Sequence, residues 1–204
     1  MLKIKKGIVS CIGLILINIS ISLIYSPIFH LINPVIIIII QLGFVWCIVI
    51  MWLSLKYILV DLHKLSTLKK NINWIIYLLS IAGGATIANS LFPYILSGVI
   101  FIILLVTAVA YIVLGVKLLR LDSSDFKNII YLYVYILSII VVGVTDFILR
   151  LLNTLIWNIN IEFISNLLAA IPFVFILLFL RKELLDLVKK QDDIKLEIKQ
   201  KKHF

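Results

Sequence analysis

Residues Val35–Leu55 read VIIIIIQLGFVWCIVIMWLSL. A half-buried strand alternates apolar with polar residues, because its side chains point to opposite faces in turn. This run stays apolar on both faces and is 21 residues long. About 20 apolar residues carry a helix across the hydrocarbon of a bilayer. Hydrocarbon offers no partner to backbone N–H and C=O groups, so only helices and closed barrels can cross it. Barrel strands alternate and this segment does not, so it is expected to be a transmembrane helix.

The same criterion applied outward gives six spans: about Gly7–Tyr25, Val35–Leu55, Asn73–Phe92, Ile95–Val116, Asn128–Leu149 and Ile161–Leu180. Pro27 and Pro34 bracket the first turn, and Pro93–Tyr94 separates spans three and four. Proline is tolerated there because no helix needs its missing N–H. The expected fold is therefore all-α, a polytopic bundle of six transmembrane helices over residues 1–182, followed by a short basic, amphipathic tail over 183–204. Composition agrees. The 204 residues are 63% hydrophobic and 14% charged, with a mean hydropathy of +1.20. That leaves too little polar surface for a soluble domain and is far too apolar for a disordered chain.

Charge sets the direction. The net charge of +9 would suggest nucleic acid in a soluble protein. Here the cations sit at span ends and no aromatic-plus-basic clusters occur, so no nucleic-acid partner is expected. Lysines precede span one, and further cations lie between spans two and three, between four and five, and after span six. Eighteen of the nineteen Lys and Arg thus fall on one side, with Arg150 alone on the other. The positive-inside rule then makes both termini cytoplasmic. The N-terminus also has the basic start and apolar core of a signal peptide. Its apolar run is longer than usual and no A-x-A site follows, which favours an uncleaved span. Tyr25, Tyr94 and Trp157 near the outer interface, and Trp52, Tyr57, Trp74 and Tyr131 near the inner one, suit amphipathic rings. Asp122, Ser123 or Ser124 is expected to cap span five, with Asp125 in its first turn. Sixteen lysines against three arginines suggest an AT-rich genome, and a bacterial cell membrane is the expected location.

The least apolar passage inside a span is SIAGGATIANS, Ser80–Ser90. Ser80, Gly84 and Ala88 recur every four residues and share a helix face, with Gly83 beside them. Small residues at that spacing let helices approach closely, so span three is expected at the centre of the bundle, and the almost pure Ile/Leu/Val spans one and two against lipid. Pro172 is expected to kink span six by freeing the Leu168 carbonyl.

Polar residues concentrate in the outer half: Asn18, Ser20 and Ser22 in span one, Gln41 in span two, Thr86 and Asn89 in span three, Thr145 and Asp146 in span five, and Ser165 and Asn166 in span six. Asp146 is an acid inside a span, with Arg150 at i+4 as a neighbour for a local ion pair. These groups either tie helix to helix or line a shallow pocket that opens outward. The candidate binding residues are Asp146, Asn89, Asn166, Gln41 and Asn18.

No catalytic constellation is visible: there is no HExxH, GxSxG, CxxC, P-loop or paired intramembrane aspartate. Cys11 and Cys47 fall within apolar runs and read as small apolar filler. His30, His63 and His203 show no metal-ligand spacing. No enzyme activity, cofactor or metal is expected. In the tail, Leu184, Leu187, Gln191, Ile194 and Ile198 form a stripe that either stays solvated, docks on a partner, or lies on an anionic leaflet.

Two functions fit. One is a permease or transport component that binds a largely uncharged solute among the outer-half polar groups. The other is a non-catalytic interaction protein, either a regulatory or assembly subunit or an immunity-type protector against a membrane-active toxin. Besides the lipid bilayer, its partner would be a protein or a second copy held through span three or the tail.

The topology has a direct check in a chain lacking its two native cysteines. A cysteine at Asn153 is expected to react with an impermeant maleimide on intact cells, and one at His203 only after permeabilisation. The reverse pattern would invert the assignment.

Overall fold

The computed structural model describes residues 1–24, 34–91, 96–121, 128–155 and 161–201. These form α1 (Leu2–Ile24), α2 (Pro34–Lys56), α3 (Lys69–Leu91), α4 (Ser97–Leu119), α5 (Ile129–Leu155), α6 (Ile161–Ala169) and α7 (Ile171–Lys201), with no strand among the described residues. Six segments are long and apolar enough to cross a membrane: Leu2–Leu23, Val35–Leu62, Ser66–Ser90, Gly98–Leu119, Ile129–Asp146 and Phe163–Ile194. Each overlaps one expected span. Tyr25, Pro27, His30, Pro93, Tyr94, the cap candidates Asp122–Asp125, Trp157 and His203 lie outside the described residues, as does the side chain of Arg150 with its expected pairing to Asp146.

Two local features depart from plain spans. α2 continues as a π-helical turn, Tyr57–Leu62, and Lys64 takes a left-handed φ of 58° where the chain reverses towards α3. Span six is broken at Ala170: α6 ends there and α7 begins at Ile171, so Pro172 stands in the first turn of a new helix. Proline cannot donate to the preceding turn and its ring crowds the carbonyl four residues back, so the break falls just before it. The Ala170 and Phe173 amides make only short-range bonds, to the Leu167 and Ala170 carbonyls. α7 then runs unbroken through the expected tail to Lys201.

The helices form a closed ring. Each packs on its neighbour in sequence, α7 returns against both α5 and α1, and α6 also lies between α5 and α1. This corrects the expected arrangement, in which span three was central and span one faced lipid. α1 buries Ile4, Gly7, Cys11, Leu14, Asn18 and Ser22, positions that follow one another at three- or four-residue steps along a single face. α3 is exposed along Trp74, Tyr77 and Ile81. The physical reason is that apolarity does not mark the buried face of a helix in lipid, whereas small and polar residues do. α1 carries such residues at Gly7, Ser10, Asn18 and Ser22.

Two glycines make the closest helix approaches. A Cβ on Gly7 would lie 2.6 Å from Ser54 Cβ. At that crossing the Ser54 hydroxyl donates towards the Lys3 carbonyl of α1 and the Ile50 carbonyl of its own helix, both at 2.8 Å. A Cβ on Gly83 would lie 2.3 Å from Val45 Cγ2. Gly84 has no neighbour within the chain: it is exposed, and nothing lies within 4 Å of where its Cβ would be. Ser80 bonds its own helix at the Ile76 carbonyl. The face of α3 that meets α2 is therefore turned one residue away from Ser80–Gly84–Ala88, through Ala82 and Gly83.

The two glycines should behave differently when replaced. Gly83→Ala forces an atom against a β-branched side chain with little rotamer freedom, and is expected to lower stability by about 1–3 kcal/mol. Gly84→Ala is expected to be neutral or stabilising, by up to about 1 kcal/mol of helix propensity. Thermal unfolding of the detergent-solubilised protein measures both.

Candidate functional site

The interior differs along its length. The end carrying the N-terminus, the α2–α3 and α4–α5 connections and the start of the tail is here called the basic end. The bundle is filled between this end and its middle. Trp52 of α2, Tyr111 of α4 and Tyr135 of α5 meet there, with Trp52 ring centroids 5.6 and 6.2 Å from those of Tyr111 and Tyr135. Cys11, Leu14, Leu55, Ile75, Leu114 and Phe179 are fully buried around them. The polar atoms Trp52 Nε1 and Tyr135 OH are buried among these rings.

The basic end is closed by a polar cluster that the sequence did not announce. His63, just after the π-helical turn, donates from Nε2 to Glu183 of α7 at 2.9 Å. Asn128, at the start of α5, donates from Nδ2 to Glu183 Oε1 at 2.6 Å and to Asp186 Oδ2 at 2.9 Å. Glu183 and Asn128 are buried. Nearby, Lys117 donates to Asn71 Oδ1 at 2.8 Å, and Lys3 and Lys182 lie over the rings of Tyr57 and Tyr131. A carboxylate in this position is stabilised by its donors, and the cluster joins the α2–α3 connection, α5 and α7 at one point.

The far half is hollow. A cavity of about 350 Å³ lies there, walled by α1, α2, α3, α4 and α6. Its lining is mostly aliphatic, with Phe44 against Phe173 in an edge-to-face pair at the filled side. Four polar side chains from four helices reach it: Asn18, Gln41, Thr86 and Asn166. Each of the first three has an identifiable tie. Asn18 donates to the Leu14 carbonyl at 2.9 Å, and Thr86 donates to the Ala82 carbonyl at 2.9 Å. Gln41 Oε1 accepts from Ser90 at 3.0 Å, which links α2 to α3 at the rim. The chemistry on offer is amide and hydroxyl hydrogen bonding. No ionisable side chain is among the described lining residues.

Three of the five expected binding residues, Asn18, Gln41 and Asn166, therefore share one cavity, and Thr86 joins them. The other two are elsewhere. Asn89 Oδ1 accepts the Leu96 backbone N–H at 3.3 Å, which ties the end of α3 to the start of α4. Asp146 accepts a hydrogen bond from the Ser165 hydroxyl, joining α5 to α6 one residue from Asn166. Asp146 thus holds the cavity wall and does not face the cavity. Gly83 is part of the lining: the absence of a side chain that admits Val45 also leaves open space beside it. Among the described residues no group of His, Cys, Asp and Glu could hold a metal ion. Both cysteines are free, Cys11 buried and Cys47 half-buried.

The chain matches no family model, and no curated protein or solved structure is detectably similar to it.

The polar cluster at the basic end has a measurable stability. Glu183→Leu removes the shared acceptor of His63 and Asn128 and is expected to cost about 1–3 kcal/mol. Glu183→Gln keeps a carbonyl for the Asn128 amide and is expected to cost less. Unfolding midpoints in detergent rank the three proteins.

Proposed function

We propose that the protein is a small multi-pass membrane protein that binds a largely uncharged solute in the far-half cavity, as a permease or a transport component. In this reading the basic end and both termini face the cytoplasm, and the cavity belongs to the outer half of the membrane. One observation carries it: Asn18, Gln41, Thr86 and Asn166, on four different helices, converge on one otherwise apolar space. Polar groups that serve only to tie helices would meet in pairs, whereas these four line a volume. Binding pockets are commonly of this kind, mainly apolar with a few placed polar groups, and roughly 300–1,000 Å³ in size. With no charge in the described lining, an ionic ligand would lose its hydration without gaining a counter-ion. An uncharged solute carries no such cost.

Asp146 acts in this scheme as a positioning residue. It holds Ser165, and through α6 the neighbouring Asn166.

Thr86→Trp tests the reading by filling the cavity. Among uncharged solutes screened against purified protein, a ligand present at 100 times its Kd stabilises the fold by about 2.7 kcal/mol, seen as a raised melting temperature. The Trp variant is expected to fold and to lose that shift. A ligand that stabilises both proteins equally binds elsewhere, and the cavity would then have no part in its recognition.

A further inference from the structure

The described lining of the cavity is uneven around the ring. The lining comes from α1, α2, α3, α4 and α6, and among the described residues α5 contributes nothing. Yet α5 neighbours α4 in the ring. The reason lies in how these two helices are buried. Among the described residues, those buried on α4 (Thr107, Tyr111, Leu114 and Leu118) and on α5 (Ile129, Leu132, Tyr135 and Ile136) lie towards the basic end. From 98 to 106 on α4, and from 137 to 146 on α5, no residue is buried. Among the described residues, the two helices are thus buried beside the filled part of the bundle and exposed beside the hollow part. Leu104 marks the result: it lines the cavity and is itself 51% exposed.

The far halves of α4 and α5 expose Val99, Phe101, Leu105, Val141 and Val144, all apolar. In a bilayer such a surface faces acyl chains. The cavity beside it is aliphatic, carries amide and hydroxyl groups, and has no ionisable side chain in its described lining. Its volume, about 350 Å³, is on the scale of a single hydrocarbon chain.

Building on the solute-binding reading above, we propose that the cavity takes its ligand sideways from the bilayer, between the far halves of α4 and α5. The ligand is a neutral, hydroxyl-bearing glycerolipid with one acyl chain in the cavity. The aliphatic walls hold the chain. Asn18, Gln41, Thr86 and Asn166 are the groups able to hydrogen-bond its ester and hydroxyl oxygens. A phosphate-bearing lipid is disfavoured, because its charge would find no cation there.

The test uses the full chain in phosphatidylcholine nanodiscs with three photoreactive probes. One is a diacylglycerol with a diazirine in one acyl chain, the second a phosphatidic acid carrying the same chain, and the third a short water-soluble diol bearing a diazirine. The diacylglycerol is expected to label peptides covering 35–48 and 79–86. Excess unlabelled diacylglycerol should reduce that labelling at least about tenfold, whereas labelling of the outer bundle surface does not saturate. Leu104→Trp, which narrows the α4 side of the gap, should reduce it to a similar extent, and phosphatidic acid should label these peptides little. Unsaturable labelling, or equal labelling by phosphatidic acid, overturns the proposed ligand. Saturable labelling undiminished by Leu104→Trp overturns the route. Labelling by the diol alone overturns both lipid and route but leaves solute binding intact, and labelling by none of the three removes the solute-binding reading as well. The competition arm needs only the unaltered protein, so a folding defect in the variant does not rescue the proposal.

Discussion

A helix surrounded by hydrocarbon gains nothing by hiding isoleucine from its surroundings, since the lipid is as apolar as the side chain. Association has to come from close backbone approach and from hydrogen bonds that lipid cannot supply. This constraint explains where the bundle is tight. Gly7 lets α1 and α2 meet, and Ser54 uses that proximity to reach the Lys3 carbonyl. Gly83 does the same for α3 against Val45. The Glu183 cluster gathers α5, α7 and the α2–α3 connection at the basic end. Removal of these contacts would leave six greasy cylinders with no preference for one another.

The ring is built unevenly along its length. Aromatic bulk and the polar cluster seal it towards the basic end, while smaller residues and amides leave the far half open. Trp52 and Tyr135 belong to the sealed part. Their rings fill volume that aliphatic side chains would leave less well packed. The result is a cup with a solid base.

Much of this was legible in the sequence, for physical reasons that differ from residue to residue. Span number and approximate limits were legible because the length and apolarity of a crossing segment are fixed by the bilayer. A kink was expected at Pro172 because a missing N–H has a local effect, whereas the structure divides the segment into α6 and α7 there. The neighbours of each helix were not. Ser80–Gly84–Ala88 and Gly83 are equally small, and only the tertiary structure shows which of the two faces meets α2. Asn18, Gln41 and Asn166 could be placed at a common depth but not on a common wall, because depth is a property of one helix and convergence a property of several. Asn89 and Asp146 have the same depth and serve as ties. Glu183 looked like an ordinary solvated tail residue. Its only local hint was its place within one turn of the last apolar residue of span six, level with the Asn128 that opens span five.

The contact between α1 and α7 has a consequence for biosynthesis. A ribosome releases α1 before α7, so the α7-facing side of α1 must wait in the membrane until α7 has been made. Its polar residues are equipped for that interval. Ser10, Asn18 and Ser22 each donate to a carbonyl four residues earlier on the same helix, and so carry their partners with them. The nascent helix can reside in lipid without exposing an unsatisfied side-chain donor at these positions, and the ring closes only once its last member arrives.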